Sequence, residues 1–106
     1  MSQPIADKAE VSIDFPDKFY HGSFGHSSRF DVKADEYGAE ISLDRAGKEK
    51  RHVTFHLHYY LLADIIAALG PALAHARMTE QERARLIAAA RDLDDALSKP
   101  APARRR

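Results

Sequence analysis

The sequence predicts an α+β fold: a three- to four-stranded antiparallel sheet with two C-terminal helices packed on one face. Three observations carry that expectation. Apolar and polar residues alternate through much of the first 58 positions, the period of a half-buried strand. Beyond His58 the apolar spacing lengthens to three and four, the period of a helix. The two patterns come in separate blocks, which points to antiparallel strands followed by helices and away from a parallel βαβ arrangement. A chain of 106 residues supports one such core and is short for two.

Residues 1–9 carry Pro4 and small polar residues without a period. They read as a flexible arm before a single domain over 10–98, with a disordered basic tail over 99–106. Val11, Ile13 and Phe15 alternate with Ser12 and Asp14, a strand stopped by Pro16. Residues 16–28, PDKFYHGSFGHSS, mix aromatics with Gly and Ser and read as a loop or irregular hairpin. Phe30, Val32 and Ala34 alternate with Arg29, Asp31, Lys33 and Asp35, and Asp35-Glu36-Tyr37-Gly38 has the composition of a tight turn. Ile41 and Leu43 alternate with Glu40, Ser42 and Asp44, and the tip Ala46 to Lys50 suits a hairpin loop. Val53, Phe55 and Leu57 then point to the core, opposite His52, Thr54, His56 and His58.

Leu61, Leu62, Ile65, Ile66, Leu69 and Leu73 define an amphipathic helix from about Tyr59 to about Arg77. Gly70-Pro71 inside it predicts a kink or break, because proline lacks the N–H and crowds the carbonyl four residues back. Thr79 with Glu82 three positions later forms a capping box, and the acidic first turn suits the helix dipole. Leu86, Ile87, Ala90, Leu93 and Leu97 form the second apolar stripe, ended by Lys99-Pro100.

Composition narrows the function classes. There is no cysteine, which removes disulfides, thiolate catalysis and Cys-containing zinc fingers. Asparagine is absent, so there is no N-glycosylation acceptor. The N-terminus lacks the basic and apolar regions of a signal peptide. The apolar stretch from Tyr59 to Ala76 is interrupted by Asp64, Gly70-Pro71 and His75, and reads as buried helix, not a membrane span. A cytoplasmic protein with no membrane partner is expected. Net charge is zero but divided: residues 1–44 hold four Lys/Arg against nine Asp/Glu, residues 45–106 twelve against seven.

The stretch RHVTFHLHYY, residues 51–60, concentrates three of the six histidines. Pairing Ile41 with Phe55 and Leu43 with Val53 sets Asp44 beside His52, Ser42 beside Thr54 and Glu40 beside His56. A slip of two residues sets Ser42 beside His56 and Glu40 beside His58. In both registers carboxylates meet imidazoles, and such cross-strand pairs are worth roughly 0.2 to 1 kcal/mol without any ligand. His56 and His58 lie about 6.6 Å apart on one face. They offer a zinc site only if Glu40, or His21 or His26, supplies a third ligand. No cofactor is otherwise expected. Three histidines on one face also make a surface that titrates between roughly pH 5 and 8.

Enzyme chemistry has no signature here, and His21-Gly22-Ser23-Phe24-Gly25 lacks the glycine a nucleophile elbow needs two before its serine. Nucleic-acid binding is an alternative, through Arg45, Lys48, Lys50 and Arg51 at one hairpin tip together with the tail arginines. Zero net charge and the absence of an RNA-binding or zinc-finger signature stand against it. The leading expectation is a small non-enzymatic protein-binding or regulatory module: an adaptor, inhibitor or accessory protein. Its partner is another protein, met through the polar sheet face (His52, Thr54, His56) or through Phe19, Tyr20 and Phe24 of the aromatic-glycine segment. The exposed sheet face or the second helix also offers a surface for a homodimer.

Overall fold

Alternating side chains become strands wherever one row can be covered, and the first 58 residues do so repeatedly. A computed structural model describes residues 2–47 and 50–100. Its strands are β1 (Gln3–Pro4), β2 (Ala9–Phe15), β3 (Lys18–Phe24), β4 (Ser28–Ala34), β5 (Gly38–Arg45) and β6 (Arg51–His58). Two helices follow, α1 (Tyr59–Ala74) and α2 (Glu80–Leu97). All pairing is antiparallel, in a four-stranded sheet of order β1-β4-β5-β6 and a two-stranded β2-β3 hairpin. The class is α+β.

The chain divides into two compact units, residues 1–65 and 66–106. In the first unit, β5 pairs Ile41 with Phe55, Leu43 with Val53 and Glu40 with His56, the first of the two registers above. Combined with the β4 register, this stacks three apolar rows on one face: Phe30–Leu43–Val53, Val32–Ile41–Phe55 and Ala34–Ala39–Leu57. The buried set among the described residues is small: Gly22, Phe24, Ser28, Gly38 and Ala39.

Two local expectations are corrected here. Residues 18–24, read from sequence as part of a loop or irregular hairpin over 16–28, form a regular strand of a hairpin, paired with β2 from Ala9↔Phe24 to Phe15↔Lys18. Its alternation is hidden because both faces carry rings, Tyr20 and Phe24 on one and Phe19 and His21 on the other. The first residues also make contacts with β4. Gln3 and Pro4 pair with β4, Ile5 N–H donates to Ser28 O at 3.0 Å, and Arg29 donates to the Ser2 hydroxyl at 2.8 Å. Helix α1 continues through Pro71 without the break that was one of the two outcomes the sequence suggested, although proline removes one N–H from its ladder.

The described part of the second unit holds the end of α1 and all of α2. The capping box forms as the sequence predicts, with Thr79 Oγ1 accepting from Glu82 N–H at 3.0 Å and Thr79 N–H donating to the Glu82 carboxylate at 2.8 Å. At the other end, Ser98 N–H and hydroxyl both donate to Asp94 O. No described residue of either helix is buried. Val32 and Phe55 on the apolar sheet face are likewise exposed, at 57% and 44%. The tail over 101–106 lies outside the described residues.

Candidate functional site

Two surfaces gather the residues that sequence reasoning singled out. The first is the polar face of the four-stranded sheet. Opposite the apolar rows, the registers line up Lys33–Glu40–His56, Asp31–Ser42–Thr54 and Arg29–Asp44–His52. His52 Nδ1 lies 2.5 Å from Asp44 Oδ1, and its Nε2 lies 2.7 Å from Thr54 Oγ1. A neutral ring with its proton on Nδ1 satisfies both contacts, donating to the carboxylate and accepting from the hydroxyl. The order hydroxyl, imidazole, carboxylate is that of a nucleophile relay. Here both His52 and Asp44 side chains are 58% exposed, so water competes for every group, and Thr54 stands on open strand surface. The contacts fix the orientation of the ring on the sheet.

His56 finds a partner that the strand pattern did not reveal. Its Nε2 stands 3.2 Å from Asp35 Oδ2, in the turn before β5. Asp35 Oδ1 accepts the N–H groups of Tyr37 at 2.8 Å and Gly38 at 2.9 Å, an Asx turn that closes the β4–β5 hairpin. The Tyr59 hydroxyl donates to the Asp35 backbone carbonyl, so the first residue of α1 is fastened to the same turn. Asp35 followed three residues later by glycine signals the turn in the sequence, but not the reach of its second oxygen to His56. His58 stacks beside Tyr37 and meets His56 edge-on, with centroids 6.4 and 5.2 Å apart. Glu40 pairs with His56 across the strands, but among the described residues no three His, Asp or Glu side chains, Glu40, His56 and His58 included, group to hold a metal ion.

The Asp35 carboxyl is held below its ordinary value of 3.8, first by the Tyr37 N–H, then by the Gly38 N–H, with a smaller contribution from His56. A carboxyl depressed in the folded state stabilises the turn above its unfolded value, about 4. That support is lost as pH falls through the lower folded value. Carbon-13 titration of Asp35 is therefore expected to give a midpoint below that of an unstructured aspartate, with Tyr37 and Gly38 amide exchange accelerating through the same window. A midpoint at or above the ordinary value contradicts this reading.

The basic hairpin tip is partly committed to structure. Arg45 and Arg51 pair across the ladder at the end of the apolar face, and both are half-buried. Arg51 reaches over β3, its Nη1 standing 3.0 Å from where a Cβ on Gly22 would lie. Lys50 is exposed, and Lys48 lies outside the described residues.

The second surface is the β2–β3 hairpin. Pro16 and Asp17 turn the chain between the paired Phe15 and Lys18. Phe15, Phe19 and Tyr20 are 51%, 64% and 53% exposed, whereas Phe24 at the other end is buried. Phe15 and Tyr20 meet edge to face at 6.2 Å, and Phe19 stacks on His21 at 6.5 Å. Of the three rings the sequence proposed as anchors, two stay outside and Phe24 belongs to the core. Phe15, read from sequence only as strand, joins the exposed pair. Along the body of the hairpin, Val11, Ile13, Tyr20, Phe24, Arg51 and Val53 line an open cavity of about 450 Å³.

Among the described residues no helix is long and apolar enough to cross a membrane. No protein-family model, curated protein or solved structure matches this chain.

Proposed function

We propose that this chain is a small non-enzymatic protein-binding module whose recognition element is the aromatic end of the β2–β3 hairpin. One observation carries the reading: Phe15, Phe19 and Tyr20 stand more than half exposed on a hairpin whose opposite end is rooted by the buried Phe24. Large rings held on a regular strand are costly to leave in water and lose little freedom on binding, which makes them effective interface anchors. The neighbouring cavity, with Val11, Ile13 and Val53 on its walls, suits an apolar side chain of a partner. The polar sheet face supports this role less, because His52, Thr54 and His56 already satisfy one another and their carboxylates.

The test begins with affinity capture from the native host and identification of the partner, followed by binding measurements with both proteins purified. Phe19→Ala/Tyr20→Ala is expected to weaken that binary complex by about thirty-fold or more, the loss of one strong anchor. Unchanged affinity in this variant, or a purified complex that depends on nucleic acid and on Arg45, Lys50 and Arg51, defeats the proposal.

A further inference from the structure

The cavity along the β2–β3 hairpin combines apolar walls with positive charge, and every residue lining it belongs to the first unit. Its walls come from one face of the hairpin, where Val11 pairs with Gly22 and Ile13 with Tyr20, and from Val53 of β6. Lys50 and Arg51 line it as well, and none of the described lining residues is Asp or Glu. The Arg51 side chain crosses β3 at Gly22, its Cδ 3.3 Å and its Nη1 3.0 Å from where a Cβ would lie. Glycine leaves the room that a side chain would take, so Arg51 is seated against the apolar wall.

We infer that this cavity takes an extended acidic segment of the protein partner, seating an apolar side chain on Val11, Ile13 and Val53 and a carboxylate on Arg51. The inference rests on the recognition role proposed above and names the chemistry of what is recognised. Charge complementarity is the first argument. Lys50 and Arg51, with no carboxylate among the described lining residues, attract an anion, and a guanidinium grips a carboxylate through two parallel N–H donors. Arg51 is half-buried, so water competes for that pair less than on open surface. A guanidinium has five donors and holds a carboxylate alongside its other contacts. Shape is the second argument. A volume of about 450 Å³ lies within the range of ligand-sized cavities, roughly 300 to 1,000 Å³. The lining from Tyr20 to Phe24 follows about 13 Å of strand, the reach of about four extended residues. An extended chain turns alternate side chains to one side, so an apolar and an acidic residue two positions apart face the cavity together.

Nucleic acid fits less well. A phosphate backbone is gripped by several cations in a row, whereas this cavity offers Lys50 and Arg51. Its aliphatic walls, Val11, Ile13 and Val53, give a base no ring to stack on.

Selection of random linear peptides on the immobilised full chain is expected to enrich sequences with Asp or Glu two positions from Leu, Ile, Val or Phe. A synthetic peptide carrying the enriched motif, followed by fluorescence anisotropy, is expected to bind Arg51→Gln about ten-fold or more weakly than the original chain. Its affinity is expected to fall as salt rises. The same peptide with Lys in place of its acidic residue is expected not to bind the original chain, which tests the charge even where Arg51→Gln disturbs the fold. A selection that enriches no acidic motif overturns the inference, as does equal affinity for the lysine peptide. A single-stranded oligonucleotide that displaces the peptide and binds more tightly through Arg51 overturns it in favour of nucleic acid. The first two of these results leave the Phe19→Ala/Tyr20→Ala measurement on the native partner untouched, so failure of the acidic segment and failure of the aromatic anchors are told apart.

Discussion

Gly38→Ala is expected to destabilise the first unit by about 3 kcal/mol or more, the upper range for forcing volume into a closed site. Gly38 opens β5 and pairs with His58 at the end of β6. A Cβ there would run into the Leu57 carbonyl oxygen and stand 2.8 Å from the His58 Cα. Both obstacles are backbone, so no rotamer change relieves the clash, and the two strands must part. Parting them loosens Ala39, one of the few buried residues, and pulls on the Asp35 turn through the Gly38 N–H. Urea unfolding followed by circular dichroism measures the effect. A loss below about 1 kcal/mol, the ordinary cost of a tolerated substitution, means that β5 and β6 do not meet this closely.

Phe24→Ala is expected to cost about 3 to 5 kcal/mol, the range for emptying a buried aromatic site. Phe24 is only 3% exposed and sits where β3 leaves the hairpin for the turn into β4. Its loss removes the anchor that roots the hairpin, so amide protection across β2 and β3 should fall before that of β5. Phe19→Ala, five residues earlier, is expected to change stability by no more than about 0.5 kcal/mol, because that ring is already in water. The pair separates two roles that look alike in the sequence. Equal losses at both positions contradict the assignment of Phe24 to the core and Phe19 to recognition.

Much of the first unit was legible because strand period and turn chemistry agree there. RHVTFHLHYY declares its two faces by alternation, and the rows beside it follow once Ile41 is set against Phe55. The Thr79 and Glu82 pair announced the start of α2 through a local hydrogen-bond geometry that needs nothing distant. What escaped depended on positions far apart in the chain. β3 was hidden by rings on both faces and by Gly22, which weakens a strand pattern because Arg51 needs the space. β1 is two residues long, too short to show a period. Asp35 reads as a turn residue, and only the folded hairpin brings its second oxygen to His56. The helical stripes state which side of each helix needs cover, but a stripe does not name the surface that provides it.

The paired register of the aromatic hairpin, unbroken over Ala9 to Phe15 and Lys18 to Phe24, has a kinetic consequence. A partner meets rings already held on formed strands, so no segment has to fold during the encounter. Association then proceeds at the ordinary rate for docking two rigid patches, about 10⁵ to 10⁷ M⁻¹s⁻¹. Differences between strong and weak partners should appear almost wholly as residence time.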